Sequence, residues 1–283
     1  MKQKRILITG ANSYIGVSFE TYIKKKYSER YLVDTVDMID GTWRERDFSS
    51  YDAIFHVAGI AHRKETAENE ALYYAVNRDL AVETAQKAKA EGVGHFLFLS
   101  SMSVYGIDSG VIGADTVPSP KSTYGISKWQ AEEALCELEN ETFSVARIRP
   151  PMVYGKDCKG NFQTIVRIVR KLPVFPRVKN RRSMIYIDTL CEYVRGYIDE
   201  GASGVLLPQN AEYLNTSEMA MAIAEALGKK IYLSRLLGLA VRMLSPFASV
   251  AKKAFGSLVY ERSEGDRSIE NEKSNRDSVR ESV

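Results

Sequence analysis

The sequence predicts an α/β fold: a doubly wound parallel sheet with a small, interleaved lobe toward the C-terminal end. Three observations lead there. Short apolar runs alternate with longer helical stretches through the first 150 residues, the pattern of strands joined by crossover helices. The alternation loosens where Pro150, Pro151, Pro173 and Pro176 punctuate shorter elements. The chain has 283 residues, 45% of them hydrophobic, and one core stops growing at roughly 250–300 residues.

Lys4–Thr9 (KRILIT) is an apolar run that Gly10 breaks, and Tyr14–Lys26 has helical character. Tyr31–Val36 is β-rich and ends at Asp37. Residues 53–57 (AIFHV) form a further strand, and 68–91 a long helix stopped by Gly92 and Gly94. His95–Leu99 (HFLFL) reads as a strand, 122–141 as a helix and 143–148 as a strand. Right-handed crossovers then place helices on both faces of the sheet. Beyond Pro150, 184–187 and 205–207 read as two more strands, and 216–227 as a helix with Thr216 as its N-cap. The expected organisation is a domain over 1–158 completed by about 184–207, then a lobe made of 159–183 and 208–260. Residues 236–259 are apolar with Arg235, Arg242, Lys252 and Lys253 interspersed. They read as a helix packed on the lobe, with membrane-surface contact as the sharper alternative. Residues 261–283 hold seven acids, five bases and three aliphatic residues, which cannot bury a core, so a disordered tail is expected.

Charge and composition exclude several classes. Lys plus Arg number 39 and Asp plus Glu 36, a net charge of +3, whereas a nucleic-acid binder usually shows a strongly basic face. No stretch reaches the ~18 apolar residues of a membrane span. Cys136, Cys158 and Cys191 are too far apart for a zinc knuckle or a redox pair. They read as reduced thiols of a cytoplasmic protein. His56, His62 and His95 share no ligand spacing, so no metal site is expected.

Ile6-Leu7-Ile8-Thr9-Gly10-Ala11-Asn12-Ser13-Tyr14-Ile15-Gly16 closes the first strand and opens the first helix. A dinucleotide-binding turn needs Gly10 for the tight bend and Gly16 for close helix–strand packing. Backbone N–H groups at the helix start then face a pyrophosphate. Ser13 stands where the middle glycine usually falls, and its hydroxyl is a candidate phosphate donor. Asp37 lies 21 residues after Gly16 at a strand end, where a carboxylate accepts both ribose hydroxyls of NAD and repels the extra phosphate of NADP. Asp34 competes from within the strand. Asp47 is a candidate contact for the adenine amino group.

Tyr124-Gly125-Ile126-Ser127-Lys128 sets Tyr and Lys one helical turn apart. Tyr22 and Lys26 share this spacing, so location decides. Tyr124 begins the helix after the fourth strand, beside the sheet end where ligands bind. The serine cluster Ser100-Ser101-Met102-Ser103 lies just upstream. A tyrosine titrates near ~10, too high for a base at neutral pH, and a nearby ammonium favours the phenolate. A serine hydroxyl can share the hydrogen bond to a reacting oxygen, and Ser101 is the choice among the three.

These residues come in a recognisable order. Thr9-Gly10…Gly16, Asp37, His56-Val57-Ala58-Gly59, Asn77, Leu99-Ser100-Ser101…Val104-Tyr105-Gly106, Tyr124-x-x-x-Lys128 and Arg149-Pro150-Pro151-Met152-Val153-Tyr154-Gly155 resemble the extended short-chain dehydrogenase/reductases. Within them, the chain is similar to the NAD-dependent epimerase/dehydratase group acting on nucleotide sugars, over about residues 4–200. The resemblance implies a Rossmann-type sheet with Ser101, Tyr124 and Lys128 as catalytic residues. It implies an NAD site lined by Gly10, Ser13, Tyr14, Ile15, Asp37, Ala58, Asn77, Tyr124, Lys128 and Pro150. It places Ser101, Ser103, Tyr124, Met152, Arg181 and Arg182 at the substrate, the two arginines matching a segment that grips a substrate diphosphate. A homodimer pairing 68–91 with 122–141 follows from the same resemblance.

Two departures narrow the chemistry. Dehydratases of this group carry an Asp-Glu pair immediately after the catalytic hydroxyl residue, where this chain has Met102 and Ser103; that argues against a 4,6-dehydratase. Met152 stands where many epimerases have an Asn that contacts the sugar nucleotide, and the lobe is short. The expected function is an NAD-dependent epimerase acting at C4 of a UDP-hexose. A nucleotide-4-keto-sugar reductase uses the same residues. A non-catalytic NAD-binding scaffold is the reading of another class, and the intact trio opposes it.

Overall fold

The computed structural model describes residues 3–61, 63–244, 255–262, 269 and 272–283. The chain divides into two compact units. One is Met1–Gly106, Pro118–Pro150 and Leu190–Pro208; the other is Ile107–Val117, Pro151–Thr189 and Gln209–Val283.

The first unit is built on a six-stranded, all-parallel sheet in the order β10-β6-β4-β3-β1-β2. The strands are β1 (Lys4–Thr9), β2 (Tyr31–Val36), β3 (Ala53–His56), β4 (His95–Leu99), β6 (Ser144–Ile148) and β10 (Gly204–Leu206). Ile6, Leu7, Ile8, Ile54, Phe55, Phe96, Leu97 and Phe98 are all fully buried. That is why β1, β3 and β4 read as continuous apolar runs: helices cover both faces of a parallel sheet. These helices are α1 (Tyr14–Lys26), α2 (Ala67–Tyr74), α3 (Leu80–Ala90), α4 (Thr123–Cys136) and α6 (Ile187–Glu200). The stretch read as one helix over 68–91 is broken by a π-helical turn, Ala75–Asp79, between α2 and α3. From β1 the chain steps to β2 on one side and to β3 on the other. The crevice at such a reversal, beyond the carboxyl ends of the strands, is where this topology binds ligands.

The competing Tyr22 and Lys26 belong to the wall of this unit. Tyr22 donates to Glu192 at 2.8 Å, and the Lys26 ammonium sits 4.3 Å from the Tyr22 ring centre. Burial and the Glu192 carboxylate hold the Tyr22 phenol far above its ordinary range. Asp34 accepts from Tyr51 at 2.8 Å and from Arg5 at 3.3 Å, a structural role that leaves Asp37 as the strand-end carboxylate.

The second unit holds three two-stranded parallel pairs. They are β5 (Gly110–Ile112) with β12 (Leu258–Tyr260), β7 (Met152–Tyr154) with β9 (Met184–Tyr186), and β8 (Val174–Pro176) with β11 (Tyr232–Ser234). Four helices complete it: α5 (Asn161–Lys171), α7 (Thr216–Ala226), α8 (Arg235–Leu244) and α9 (Asn275–Glu281).

Several expectations are corrected here. Residues 184–186 pair with β7 and not with the main sheet; only 204–206 extends that sheet. The N-cap of α7 is Asn215, whose side chain accepts from the N–H groups of Ser217 and Glu218. Thr216 is buried, its hydroxyl accepting from Asn180 at 2.8 Å. Residues 258–260 are a strand, so a helix does not run through 236–259. The expected disordered tail contains α9. Its Val279 is 1% exposed, and Ser278 hydrogen-bonds the buried Tyr154 hydroxyl at 2.7 Å. The tail cannot make a core of its own but adds these residues to one that other segments supply. His62, and the parts of the tail and of 236–259 that fall on 245–254, 263–268 and 270–271, lie outside the described residues.

Candidate active site

The site builds from the carboxyl end of β1. Gly10 has φ +111°, a left-handed-side conformation that L side chains avoid. A Cβ on Gly10 would lie 2.7 Å from the Ala58 nitrogen, and one on Gly16 would lie 3.1 Å from the Ile8 and Val57 side chains. Gly10 and Ala11 donate to the Val36 carbonyl, each at 3.0 Å, which closes the turn. Ser13 is the N-cap of α1: its hydroxyl accepts from Gly16 N–H at 3.1 Å, and its carbonyl from Val17 N–H at 2.9 Å. Among the described residues nothing accepts from the Ile15 N–H, which leaves a donor at the positive end of the helix for an anion. Gly10→Ala should cost about 1–3 kcal/mol through strain at this φ and abolish the upward shift in melting temperature that added NAD gives the wild type. Scanning fluorimetry with and without NAD checks both, and a retained shift would refute the assigned turn.

Asp37 follows β2, half-buried, and its carboxylate accepts from Ile39 N–H at 2.9 Å. Asp47 is exposed; a hydrogen bond from the Ser49 side chain, and then one from the Ser49 N–H at 2.8 Å, hold its carboxyl below the usual range. Asn77 is fully buried on the π-helical turn. Its amide clasps Ile60, accepting from the N–H at 2.8 Å and donating to the carbonyl at 3.2 Å, and it donates to Ser127 at 3.1 Å. Such single π turns recur at functional sites because they re-aim side chains.

Helix α4 carries the reactive groups. Ser122 caps it, accepting from Gly125 N–H at 3.1 Å. The Glu65 carboxylate accepts from the N–H groups of Thr123 at 3.0 Å and Tyr124 at 3.1 Å, a negative charge at the positive end of the helix dipole. Tyr124, Lys128 and Glu132 then occupy successive turns. Lys128 is 4% exposed; it donates to the Leu99 carbonyl at 2.8 Å and lies 4.5 Å from the Phe98 ring centre. Burial lowers its pKa to about 7, with Glu132 working against that shift. Burial raises the Tyr124 phenol above its ordinary value, and a hydrogen bond with Ser101 pulls it back. Ser101 also caps the short turn Met102–Tyr105, accepting from Ser103 N–H at 3.1 Å.

Beneath these residues lies a buried ion pair. Arg149 places its Nη2 2.6 Å and its Nε 3.0 Å from Glu132, and it donates to the Tyr105 hydroxyl at 2.8 Å. Glu132 is completely buried and Arg149 is 4% exposed. Ser100 donates to the same carboxylate. That commits Ser100 to structure, while Ser101 reaches Tyr124. His56 lies with Nδ1 2.8 Å from the Thr9 hydroxyl; burial and Lys128 push it down to about 3, so it is neutral. Pro150 is buried, its carbonyl accepting from Met102 N–H at 3.0 Å.

The first unit therefore brings together the Gly10 turn, Ala58, Asn77, Ser101, Tyr124 and Lys128 at one end of its sheet. The NAD dependent epimerase/dehydratase family profile matches residues 6–205. The chain belongs to this family. UDP-glucose 4-epimerase of Vibrio cholerae is 30% identical over 252 residues, covering 80% of this chain and 76% of that protein. The N-acetyl-alpha-D-glucosaminyl-diphospho-ditrans,octacis-undecaprenol 4-epimerase of Escherichia coli O157:H7 is 25% identical over 244 residues, covering 80% and 73%. The fold is shared with UDP-glucuronic acid 4-epimerase of Bacillus cereus, solved with NAD, at a TM-score of 0.73 and 18% identity over 98% of this chain and 95% of that one.

The geometry of this family member fits NAD. The Gly10 cradle leaves no room for a side chain, and Asp37 stands at the strand end. Met152, Arg181 and Arg182 belong to the second unit. Met152 is in β7, paired with Met184. Arg181 is exposed, 5.2 Å from the Tyr213 ring centre. Arg182 donates to the Gly256 carbonyl at 2.9 Å, and burial lowers its pKa. Glu65 and Glu132 were not singled out in the sequence, and Gly59 and Ser127 stood there only as members of longer motifs. A Cβ on Gly59 would lie 3.0 Å from the Asn77 amide oxygen. Glu132 had a signal, four residues after Lys128 on one helical face. Glu65 had none, since it arrives from a loop 58 residues before Thr123.

Proposed function

We propose that this family member is a 4-epimerase of a nucleotide-linked sugar, with a UDP-hexose as substrate. The observation that carries the reading is the meeting of Ser101, Tyr124 and Lys128 beside the Gly10 turn. When bound, NAD supplies a reversible hydride acceptor and a positive charge. Tyr124 takes the proton of the C4 hydroxyl, and Ser101 holds the same oxygen by a hydrogen bond. Tyr124 returns the proton after the 4-keto sugar has presented its other face. Lys128 in its protonated form holds positive charge near this exchange. Arg181 and Arg182 are the proposed diphosphate contacts. In support, the buried Nε of Arg182 has no hydrogen-bond partner among the described residues. Asp47 is the proposed adenine contact and Ser103 a further sugar contact.

A 4-keto-sugar reductase is the second reading. Met152, half-buried in β7, favours it, since a thioether offers a sugar nucleotide no hydrogen-bond donor. Mass spectrometry of co-purifying ligands, followed by turnover assays on UDP-hexoses, separates the readings. An epimerase retains NAD and interconverts C4 epimers with no net consumption of cofactor. Stoichiometric oxidation of NADH by a 4-keto sugar would replace the first reading with the second. Bound NAD with no turnover of either substrate class would leave a scaffold. None of the three cysteines forms a disulfide, which suits a reducing cytoplasm. Among the described residues no helix is long and apolar enough to cross a membrane. A homodimer through α2, α3 and α4 completes the reading; Leu72 on α2 is 43% exposed and offers it an apolar contact.

A further inference from the structure

Helix α8 turns its apolar side outward. Leu236, Leu239 and Met243 are 81%, 55% and 66% exposed. With Ala240 they recur at three- and four-residue spacings, so they share one face. Tyr232, three residues before the helix, is 70% exposed. The opposite side of α8 is committed to its own unit. Gly238 is buried there, and a Cβ on it would stand 2.1 Å from the Arg177 carbonyl oxygen. The helix cannot roll its leucines inward without losing that contact. A soluble surface helix shows the reverse polarity.

The segment that carries this face has charge of one sign along the chain. Residues 227–260 contain six bases, Lys229, Lys230, Arg235, Arg242, Lys252 and Lys253, and no acid. The whole chain carries only +3, so everything outside this segment sums to −3. Arg235 and Arg242 are exposed and two turns apart, along one margin of the apolar face. A second copy of this chain would set these bases against themselves. An anionic lipid surface complements them, takes the leucines and Met243 below the headgroups, and seats a tyrosine at the interface.

We propose that α8 is an interfacial anchor that docks this protein, in the plane of the membrane, on a bilayer rich in anionic lipid. The inference stands apart from the reaction assigned above.

The test is co-sedimentation of the full chain with sucrose-loaded vesicles, either phosphatidylcholine alone or with phosphatidylglycerol. The wild type should pellet with phosphatidylglycerol vesicles, far less with phosphatidylcholine, and less as salt rises. Leu236→Gln/Leu239→Gln/Met243→Gln should weaken partition at least about tenfold, and Arg235→Gln/Arg242→Gln should remove the lipid preference. Unchanged NAD binding and melting temperature in these variants show that the fold is intact. A wild type that stays in the supernatant overturns the proposal, as does a triple variant that pellets equally. So does light scattering that shows a wild-type dimer turned to monomer by the triple substitution, since a second copy would then cover the face.

Discussion

Tyr124→Phe should slow turnover by about 10²–10⁴-fold while NAD still binds. The substitution removes one oxygen from a half-buried side chain at the start of α4 and leaves the ring in place. What is lost is the group that exchanges a proton with the sugar. Burial raises the Tyr124 phenol and a hydrogen bond with Ser101 lowers it, so the residue is a proton donor in the free protein and must gain phenolate character before it acts as a base. Lys128, 4% exposed, is one turn away, held to the Leu99 carbonyl at 2.8 Å. None of the groups that hold Lys128 depends on the Tyr124 hydroxyl, which is why cofactor affinity should survive. Single-turnover kinetics and calorimetric titration with NAD measure the two effects separately. Activity within a few-fold of wild type would remove Tyr124 from the chemistry; loss of NAD binding would make its role structural.

The largest loss of stability is expected at the ion pair below it. Arg149→Met leaves the Glu132 carboxylate fully buried without its cation. Breaking a buried pair from one side costs about 3–5 kcal/mol. At about 2–4 °C per kcal/mol for a chain of this size, the melting temperature should fall by some 6–20 °C. Ser100 still donates to Glu132, but a hydroxyl does not neutralise a charge. Removing both partners, as Glu132→Met/Arg149→Met, should recover most of the loss, because two apolar side chains can fill the space without a desolvated charge. A single variant that melts within 2 °C of wild type, or a double variant worse than the single, would contradict this account. The consequence reaches the chemistry through geometry. Glu132, Lys128 and Tyr124 lie on successive turns of α4, and Arg149 ties that helix to the end of β6. The clamp fixes where the phenol stands.

Much of the first unit is legible in the amino-acid sequence. The bounds of β1, α1, β2 and β4 match the runs read from the sequence, because each buried strand had to be a continuous apolar run and glycines mark the turns after β1 and before β4. The Gly10 turn was legible for the same reason: at φ +111° little but glycine serves. In the second unit the three-residue strands β5, β7, β8, β11 and β12 escaped, since three residues hold too little periodicity to register. β5 meets β12 across about half the chain, a pairing that no local pattern announces. The helix α9 escaped because its stability is borrowed: Ser278 and Val279 pack into a core that other segments build.

Ser100, Ser101 and Ser103 show the same division within the site. Composition and spacing put three hydroxyls at one strand end but did not rank them physically. The fold did, tying Ser100 to Glu132 and leaving Ser101 to meet Tyr124. Likewise the spacing of Tyr22 and Lys26 equals that of Tyr124 and Lys128. The carboxylate of Glu192, 170 residues away from Tyr22, ties the first pair into the structure. The sequence by itself determined the order of strands and helices in the first unit, the glycine turn and the family, because these follow from hydrophobic period and local backbone geometry. The tertiary structure alone decided which hydroxyl reaches the phenol, which lysine is desolvated and which carboxylate steadies the helix. Burial and the approach of groups far apart in the chain are properties of the folded whole.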